Sequence, residues 1–155
     1  MTARHAPFRF LMPALFAISL AGVAAADKGV QVTAASAPAG TDARFKRALS
    51  QSIKSHIGRA GLGAKLNGYS NSPALIELRR FIEPGQTQPR TVCVVELALS
   101  DPGRGLVASI RGNAASFGAT QLDTLDAAAE SAVDRLPATL AALQDAPGRP
   151  RVASR

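Results

Sequence analysis

Cysteine and histidine are the side chains of this sequence best suited to covalent or metal chemistry, and both are scarce. Cys93 is the single cysteine among 155 residues, and His56 is the one histidine beyond the first five residues. A catalytic thiolate needs a partly exposed, electropositive position and a base that a third group orients. Cys93 instead stands between valines in the run RTVCVVELAL, where burial keeps a thiol protonated and inert. We therefore expect Cys93 to be a core residue and expect no catalytic residues; a small thiol enzyme built on Cys93 and His56 is the alternative.

Metal and phosphate sites of the common kinds lack their ligands in this sequence. Zinc sites use three or four nitrogen and sulfur ligands, more than one histidine and one cysteine supply. The glycine-rich run GRAGLGAKL, residues 58–66, lacks the G-K-[ST] ending of a phosphate-binding loop. The sequence therefore predicts no metal, no cofactor and no enzymatic activity.

Two amphipathic helices are the clearest elements that the sequence predicts. In TDARFKRALSQSIKSHIGRAGLG, residues 41–63, apolar side chains recur at helical spacing, with Thr41 or Asp42 as the N-cap and Gly58 as the end. A second helix is expected in LDTLDAAAESAVDRLPATLAALQ, residues 122–144. Pro137 predicts a kink or a restart there, because proline has no N–H to donate.

Alternation of apolar and polar residues predicts the strands. They are a short strand at 29–34, a weak one at 64–69 (AKLNGY), and longer ones at 74–82, 90–99 and 106–114. Ile76, Leu78 and Ile82 are placed on the core side of their strand. Arg80 falls on that side as well, which requires a bulge there or a side chain that snorkels out. In the last strand, the residues placed toward the core are Leu106, Ala108 and Ile110.

These elements define one α+β domain over residues 27–146, in the order β-α-β-β-β-β-α. We expect a two-layer sandwich, with a mainly antiparallel sheet of four to five strands and both helices on one face. The other face is left open to solvent or to a partner. Its expected side chains combine aromatic, arginine and apolar residues, the mixture that interfaces favour. They are Tyr69, Leu75, Glu77, Arg79, Phe81, Val92, Val94, Glu96, Val107 and Arg111. The predicted binding residues are Tyr69, Arg79, Phe81, Val94, Glu96 and Arg111.

Charge is spread unevenly over the chain. Residues 44–65 hold six basic residues and no acid, whereas residues 123–145 hold five acids and one arginine. One interpretation is that a basic and an acidic helix lie side by side and complement each other. The other is an envelope-polyanion site, for an anionic polymer or lipid, on Arg44, Lys46, Arg47 and Lys54. Nucleic acid is not expected as a ligand, because the N-terminus indicates export.

The first 26 residues have the pattern of a cleavable signal peptide. Arg4 and Arg9 precede the apolar run LMPALFAISLAGVAAA, which ends in an A-x-A at Ala26. A retained membrane anchor is the alternative, although the run is short for a span. The stretch SLAGV resembles a bacterial lipoprotein signal in which Val23 replaces the acylated cysteine. We expect a periplasmic or secreted protein without a transmembrane span after cleavage, and a disordered basic tail at residues 147–155.

From about residue 29 to residue 143, the chain resembles small periplasmic α/β domains of the TolB N-terminal, LpoB and CsgG kinds. The resemblance rests on a helix after a first strand, a strand meander ending GLVASIRGNAA, and the final helix LDAAAESAVDRL. It implies a non-catalytic domain that binds another envelope protein. The expected function is therefore protein binding on the open sheet face.

Overall fold

The computed structural model of the protein describes residues 30–146, which form a two-layer α+β fold. The elements are β1 (Gln31–Val32), α1 (Ala43–Arg59), β2 (Ser70–Phe81), β3 (Arg90–Asp101), β4 (Gly105–Phe117), α2 (Gln121–Val133) and α3 (Leu136–Asp145). The strands form one sheet in the order β1-β2-β3-β4. β1 pairs with β2 in parallel, and β2, β3 and β4 form an antiparallel meander. The predicted α+β class and the mainly antiparallel sheet are confirmed.

The helices cover one face of this sheet. α1 buries a stripe at helical spacing, which includes Phe45, Leu49 and Ile53, and α2 buries Leu125 together with smaller side chains, three of them alanines. On β3, every second side chain from Thr91 to Leu99 is buried beneath them. Because the chain is poor in aromatic residues, this core consists mainly of alanine, valine, leucine and isoleucine.

α2 lies unusually close to β4 because the strand has a glycine at the contact. A Cβ atom added to Gly112 would lie 2.5 Å from the backbone nitrogen of Ala132 and 2.8 Å from its Cβ, and closer still to the carbonyl oxygen of Ala128. Such separations are well inside van der Waals contact. The small side chains of α2 and the bare backbone of Gly112 therefore set the distance between the two layers.

The predicted strand at residues 64–69 is wrong. This segment consists of turns between Gly61 and Gly68, both of which have positive φ. Leu62 and Leu66 both pack into the core, and the backbone N–H of Leu66 donates to the carbonyl of Leu62 over 3.0 Å. The alternation of Ala64 and Leu66 predicted a strand, but Leu62 and Leu66 are four residues apart, which is the spacing of one helical turn.

Two bulges shift the predicted register. The pairing of β2 with β3 shifts between Leu75 and Glu77, so Leu75 is buried and Ile76 is 43% exposed, the reverse of the expectation. The bulge lies at Ile76 and not near Arg80. Arg80 therefore stays on the core side of β2, opposite buried Thr91, and its side chain is exposed, which agrees with the snorkelling alternative. Ile82, beyond the end of β2, is exposed rather than in the core.

In β4 the pairing with β3 shifts between Leu99 and Ser100. As a result Leu106 is 65% exposed, and Val107 packs against the core instead of facing outward. Ala108 and Ile110 face the core as expected.

The helix ends differ slightly from the expectation. Asp42 is the N-cap of α1 and accepts a hydrogen bond from the backbone N–H of Arg44, as predicted. Gly58 is not its end, since the helix continues to Arg59. The restart at Pro137 is confirmed, because α2 ends at Val133 and α3 begins with this proline in its first turn.

The predictions of a signal peptide at 1–26 and a tail at 147–155 lie outside the described residues. Within residues 30–146, no helix combines the length and the apolar character needed to cross a bilayer.

We predict that Gly112→Ala lowers the free energy of unfolding by roughly 3 kcal/mol, because the new methyl group must push α2 away from β4. Gly58→Ala is the matched control: its added Cβ meets nothing within 4 Å, it lies inside α1, and it should stabilise by about 0.5–1 kcal/mol. Urea denaturation of both variants tests this. An unchanged midpoint for Gly112→Ala would contradict the close contact.

Candidate functional site: the open face of the sheet

The face of the sheet opposite the helices is the candidate functional site, and we call it the open face. The pairings across β2, β3 and β4 arrange its side chains in rows of three. Four consecutive rows are Ala74–Glu96–Arg111, Glu77–Val94–Asn113, Arg79–Val92–Ala115 and Phe81–Arg90–Phe117. No helix of residues 30–146 covers these rows, so the described part of the chain leaves them accessible.

The last of these rows, Phe81–Arg90–Phe117, is the most distinctive part of the open face, and we call it the aromatic row. Phe81 is 42% and Phe117 50% exposed, and the neighbouring Ile82 is 66% exposed. Arg90 stands between the two phenylalanines in the row, and its guanidinium lies 5.6 Å from the centroid of the Phe117 ring. Residues 30–146 contain three phenylalanines, and the third, Phe45, is buried in the core.

Arginines on and beside the open face are paired with glutamates. Arg79 Nε lies 2.9 Å from Glu77 Oε1, and Arg111 Nε donates to Glu96 Oε2 over 3.1 Å. The hydrogen bond from Arg111, with a second from Ser109, lowers the pKa of the Glu96 carboxyl below its ordinary value.

Arg90 donates through Nη1 to Glu83, in the loop after β2. Its Nε is buried and has no hydrogen-bond partner within residues 30–146. The open face is thus largely neutralised by its own ion pairs.

Five of the six predicted binding residues lie on this face. Arg79, Phe81, Val94, Glu96 and Arg111 occupy the rows described above. Tyr69 does not: it precedes β2, packs against the core on the helix side, and lines a cavity of about 210 Å³ with Val30 and Leu66. Alternate residues of a strand share a face, and Asn71, Pro73 and Leu75 are buried on the helix side. Continuing this alternation backwards puts Tyr69 on the helix side as well.

Leu75 and Val107, also expected on the open face, pack against the core because of the two bulges. Five residues of the four rows were not in the expected set: Ala74, Arg90, Asn113, Ala115 and Phe117. Phe117 could have been found from the sequence, because continuing the alternation Arg111, Asn113, Ala115 beyond the expected strand end reaches it.

Cys93 is fully buried on the core side of β3, as predicted. Burial, together with the negative charge of Glu77, raises the pKa of its thiol to about 12. At neutral pH the sulfur is therefore protonated and out of reach of substrates. This is a physical argument against the Cys93 and His56 pair.

His56 instead joins Ser52 in binding Asp126 of α2. Both side chains belong to α1 and are nearly buried; His56 Nε2 lies 3.0 Å from Asp126 Oδ1, and Ser52 donates a short hydrogen bond to the same oxygen. Because His56 and Ser52 converge on one carboxylate oxygen, neither activates the other. Within residues 30–146, no three acidic, histidine or cysteine side chains are grouped so as to hold a metal ion.

The four residues of the predicted polyanion site separate into two groups. Arg44 lies 3.1 Å from the carboxylate of Asp42 and 4.7 Å over the ring of Phe45. Lys46, Arg47 and Lys54 line a groove between α1 and residues 32–35. Within residues 30–146 they form no ion pair. The acids of α2 therefore do not neutralise this part of α1, although Asp126 does bind His56.

Comparisons with known proteins find likeness in structure only. No protein-family model and no curated sequence matches the chain. A minor lipoprotein from Acinetobacter baumannii is similar at 15% identity, over 70% of this chain and 94% of that chain, with a TM-score of 0.45. A protein described as a lipoprotein from Caulobacter crescentus is similar at 16% identity, over 70% of this chain and 89% of that one, with a TM-score of 0.40.

Rare lipoprotein B from Shewanella oneidensis is similar at 16% identity, over 74% of this chain and 96% of that chain, with a TM-score of 0.33. All three are bacterial lipoproteins by description. Likeness at this level carries no argument about what this chain does.

We predict that Cys93 resists thiol reagents in the folded protein and reacts within seconds once urea unfolds it. Cys93→Ala should cost under about 1.5 kcal/mol, whereas Cys93→Ser should cost about 1–3 kcal/mol more, because the buried hydroxyl finds no water. Labelling with Ellman's reagent and urea denaturation test both statements. Rapid labelling of the native protein would contradict the burial of the thiol.

Asp126→Ala is predicted to lower the free energy of unfolding by about 1–2 kcal/mol at pH 7, since it strands the polar atoms of Ser52 and His56. The hydrogen bond from Ser52, supported by that from His56, lowers the pKa of Asp126 in the folded chain. The carboxylate therefore stabilises the fold above its unfolded pKa of about 3.9, and this contribution is lost as the pH falls through the lowered value. The difference from wild type should accordingly shrink below about pH 4.

Glu130→Ala is the control for Asp126→Ala, because Glu130 is exposed on the same helix. It should change stability by less than about 0.5 kcal/mol at either pH. Equal effects of the two variants in denaturation curves at pH 7 and pH 3 would show that the contact between α1 and α2 contributes nothing.

Proposed function

We propose that this chain is a non-catalytic binding domain of the bacterial cell envelope that binds another protein on the open face. The observation that carries the proposal is the aromatic row, with both phenylalanines exposed at one end of the sheet. Exposed aromatic side chains grouped with an arginine mark the energetic centres of protein interfaces. The other residues of the open face would form the periphery of the interface around the aromatic row.

The cost of leaving this end of the sheet in water favours a partner. Burial of a phenylalanine side chain contributes about 1.5–3 kcal/mol, and Phe81, Phe117 and Ile82 are all far from buried. The chain has few aromatic residues, and two of its phenylalanines, Phe81 and Phe117, lie outside the core. Their apolar surface is therefore not used to stabilise the core. A partner that covers the aromatic row recovers this energy.

The charges of the open face indicate what kind of surface fits. Arg79 and Arg111 are already paired with glutamates, so a partner needs no opposite charges to cover them. Arg90 is likewise paired with Glu83. The partner is therefore expected to present an apolar or aromatic patch.

Placement in the envelope is supported by the N-terminal segment. Its basic residues, its apolar run and the A-x-A at Ala26 are the features of export. A single buried cysteine also suits an oxidising compartment, because it cannot form a disulfide within one molecule.

The experiment is photocrosslinking in the envelope of the source bacterium. A photoreactive amino acid at position 117 should give an adduct with a partner protein, and the same residue at position 127, exposed on α2, should not. Phe81→Glu in the same chain should reduce the adduct at position 117 by at least about 30-fold, since it places a charge in the centre of the interface.

Two results would overturn the proposal. Adducts formed solely with a second copy of the chain would mean self-association, and equal adducts from positions 117 and 127 would mean that the open face is not preferred. Thermal unfolding of Phe81→Glu distinguishes lost binding from lost folding: its midpoint should stay within a few degrees of wild type. A large fall in the midpoint would show that this face is packed in the native protein.

A further inference from the structure

A groove with an apolar floor and a cationic rim lies on the helix side of the sheet, away from the open face. Residues 32–35 form one wall and α1 the other, and the groove, which is open to solvent, has a volume of about 600 Å³. This lies within the range of about 300–1,000 Å³ that small-molecule sites occupy. Val32, Ala34, Ala35 and Ala43 supply its apolar surface.

The rim of this groove is positively charged. Lys46, Arg47 and Lys54 line it, and no acidic side chain of residues 30–146 does. Lys46 and Lys54 are eight residues apart on α1, which separates them by about 12 Å along the helix axis. Positive charge is therefore present at both ends of the apolar floor. The methylene stems of the lysines also extend that floor toward solvent.

Hydrogen bonds hold the two walls together. The backbone N–H of Ala35 donates to Ser50 Oγ over 3.0 Å, and Ser50 Oγ lies 3.4 Å from the carbonyl oxygen of Thr33. Ser50 thereby fixes the segment after β1 against α1. The groove is part of the folded scaffold and does not depend on the placement of a loose side chain.

We propose that this groove binds a phosphate-headed lipid, with the acyl chain on the alanine floor and the phosphate held by Lys46 and Arg47. Charge complementarity selects an anion, and the apolar floor selects one that carries a hydrocarbon chain. A polyanion without a hydrocarbon chain would neutralise the cations of the rim but would leave the apolar floor exposed to water. The proposal refines the polyanion interpretation, because Arg44 is directed to Asp42 and Phe45 and contributes nothing to the groove.

The test uses the full chain and dodecyl phosphate below its micelle concentration, followed by calorimetry and by amide NMR shifts. We expect saturable binding, with shifts concentrated at residues 32–35 and on the groove side of α1. The triple variant Lys46→Gln, Arg47→Gln, Lys54→Gln should weaken binding about tenfold or more, because it removes all three cations of the rim. Arg44→Gln is the matched control, because it removes one charge from the same helix outside the groove and should leave the affinity within about twofold.

Four comparison ligands test the specificity of the groove. Dodecyl maltoside and inorganic polyphosphate should each bind at least about tenfold more weakly, since one lacks the charge and the other the chain. If dodecyl maltoside binds as tightly as dodecyl phosphate, the cations do not contribute to binding. If polyphosphate binds as tightly as dodecyl phosphate, the apolar floor does not contribute. Competition by a hexaglutamate peptide would assign the groove to an acidic protein segment instead. Binding to phosphatidylglycerol vesicles without binding to monomeric dodecyl phosphate would mean surface adsorption and would also overturn the proposal.

Because this groove and the open face share no residue, failure here leaves the protein-binding proposal standing. Conversely, a partner crosslinked at position 117 neither supports nor contradicts the binding of dodecyl phosphate in the groove.

Discussion

The close approach of α2 to β4 is the constraint on which the rest of this structure depends. Gly112 has no side chain, and the residues of α2 above it are alanines, so helix and strand meet almost backbone to backbone. A short interlayer distance is what a core of alanine, valine and leucine requires, because larger separations would leave voids that these side chains cannot fill. The core then has little room for large aromatic side chains. That is a physical reason why Phe81 and Phe117 lie on the open face while only Phe45, of the three phenylalanines in residues 30–146, lies between the layers.

The helix layer is completed by a polar contact as well as by packing. Ser52 and His56 are nearly buried, and Asp126 of α2 satisfies them from the rim of the core. Buried polar groups without partners are costly, so this contact fixes how α1 lies beside α2. With that side of α1 directed to α2, Lys46, Arg47 and Lys54 are left on the side that faces residues 32–35. The position of the cationic groove therefore follows from the position of the polar contact.

The helices and the long strands were predictable because their periodicity is long and regular. α1 and α2 follow the 3.6-residue pattern, and β3 alternates without interruption from Thr91 to Leu99. The failures came where one residue changes the register. The bulges at Ile76 and Val107 reverse which side chains are buried, and a bulge of this kind depends on the partner strand rather than on the local sequence. Residues 64–69 were misassigned because a six-residue segment is too short to distinguish a helical turn from a strand.

Much of the candidate site could also be derived from the sequence, and for the same reason. Beyond the bulge in β2, the alternation of Glu77, Arg79 and Phe81 is regular, so these residues were placed on the correct face. The sequence alone could not show which arginines and lysines form ion pairs with acidic residues and which do not. The arginines of the open face are matched by glutamates that pairing across strands or within a strand brings near, whereas the cations of α1 face a segment with no acid. The open face is therefore nearly neutral, whereas the groove is cationic. This difference makes the open face suited to an apolar protein surface, and the groove on α1 suited to an anion.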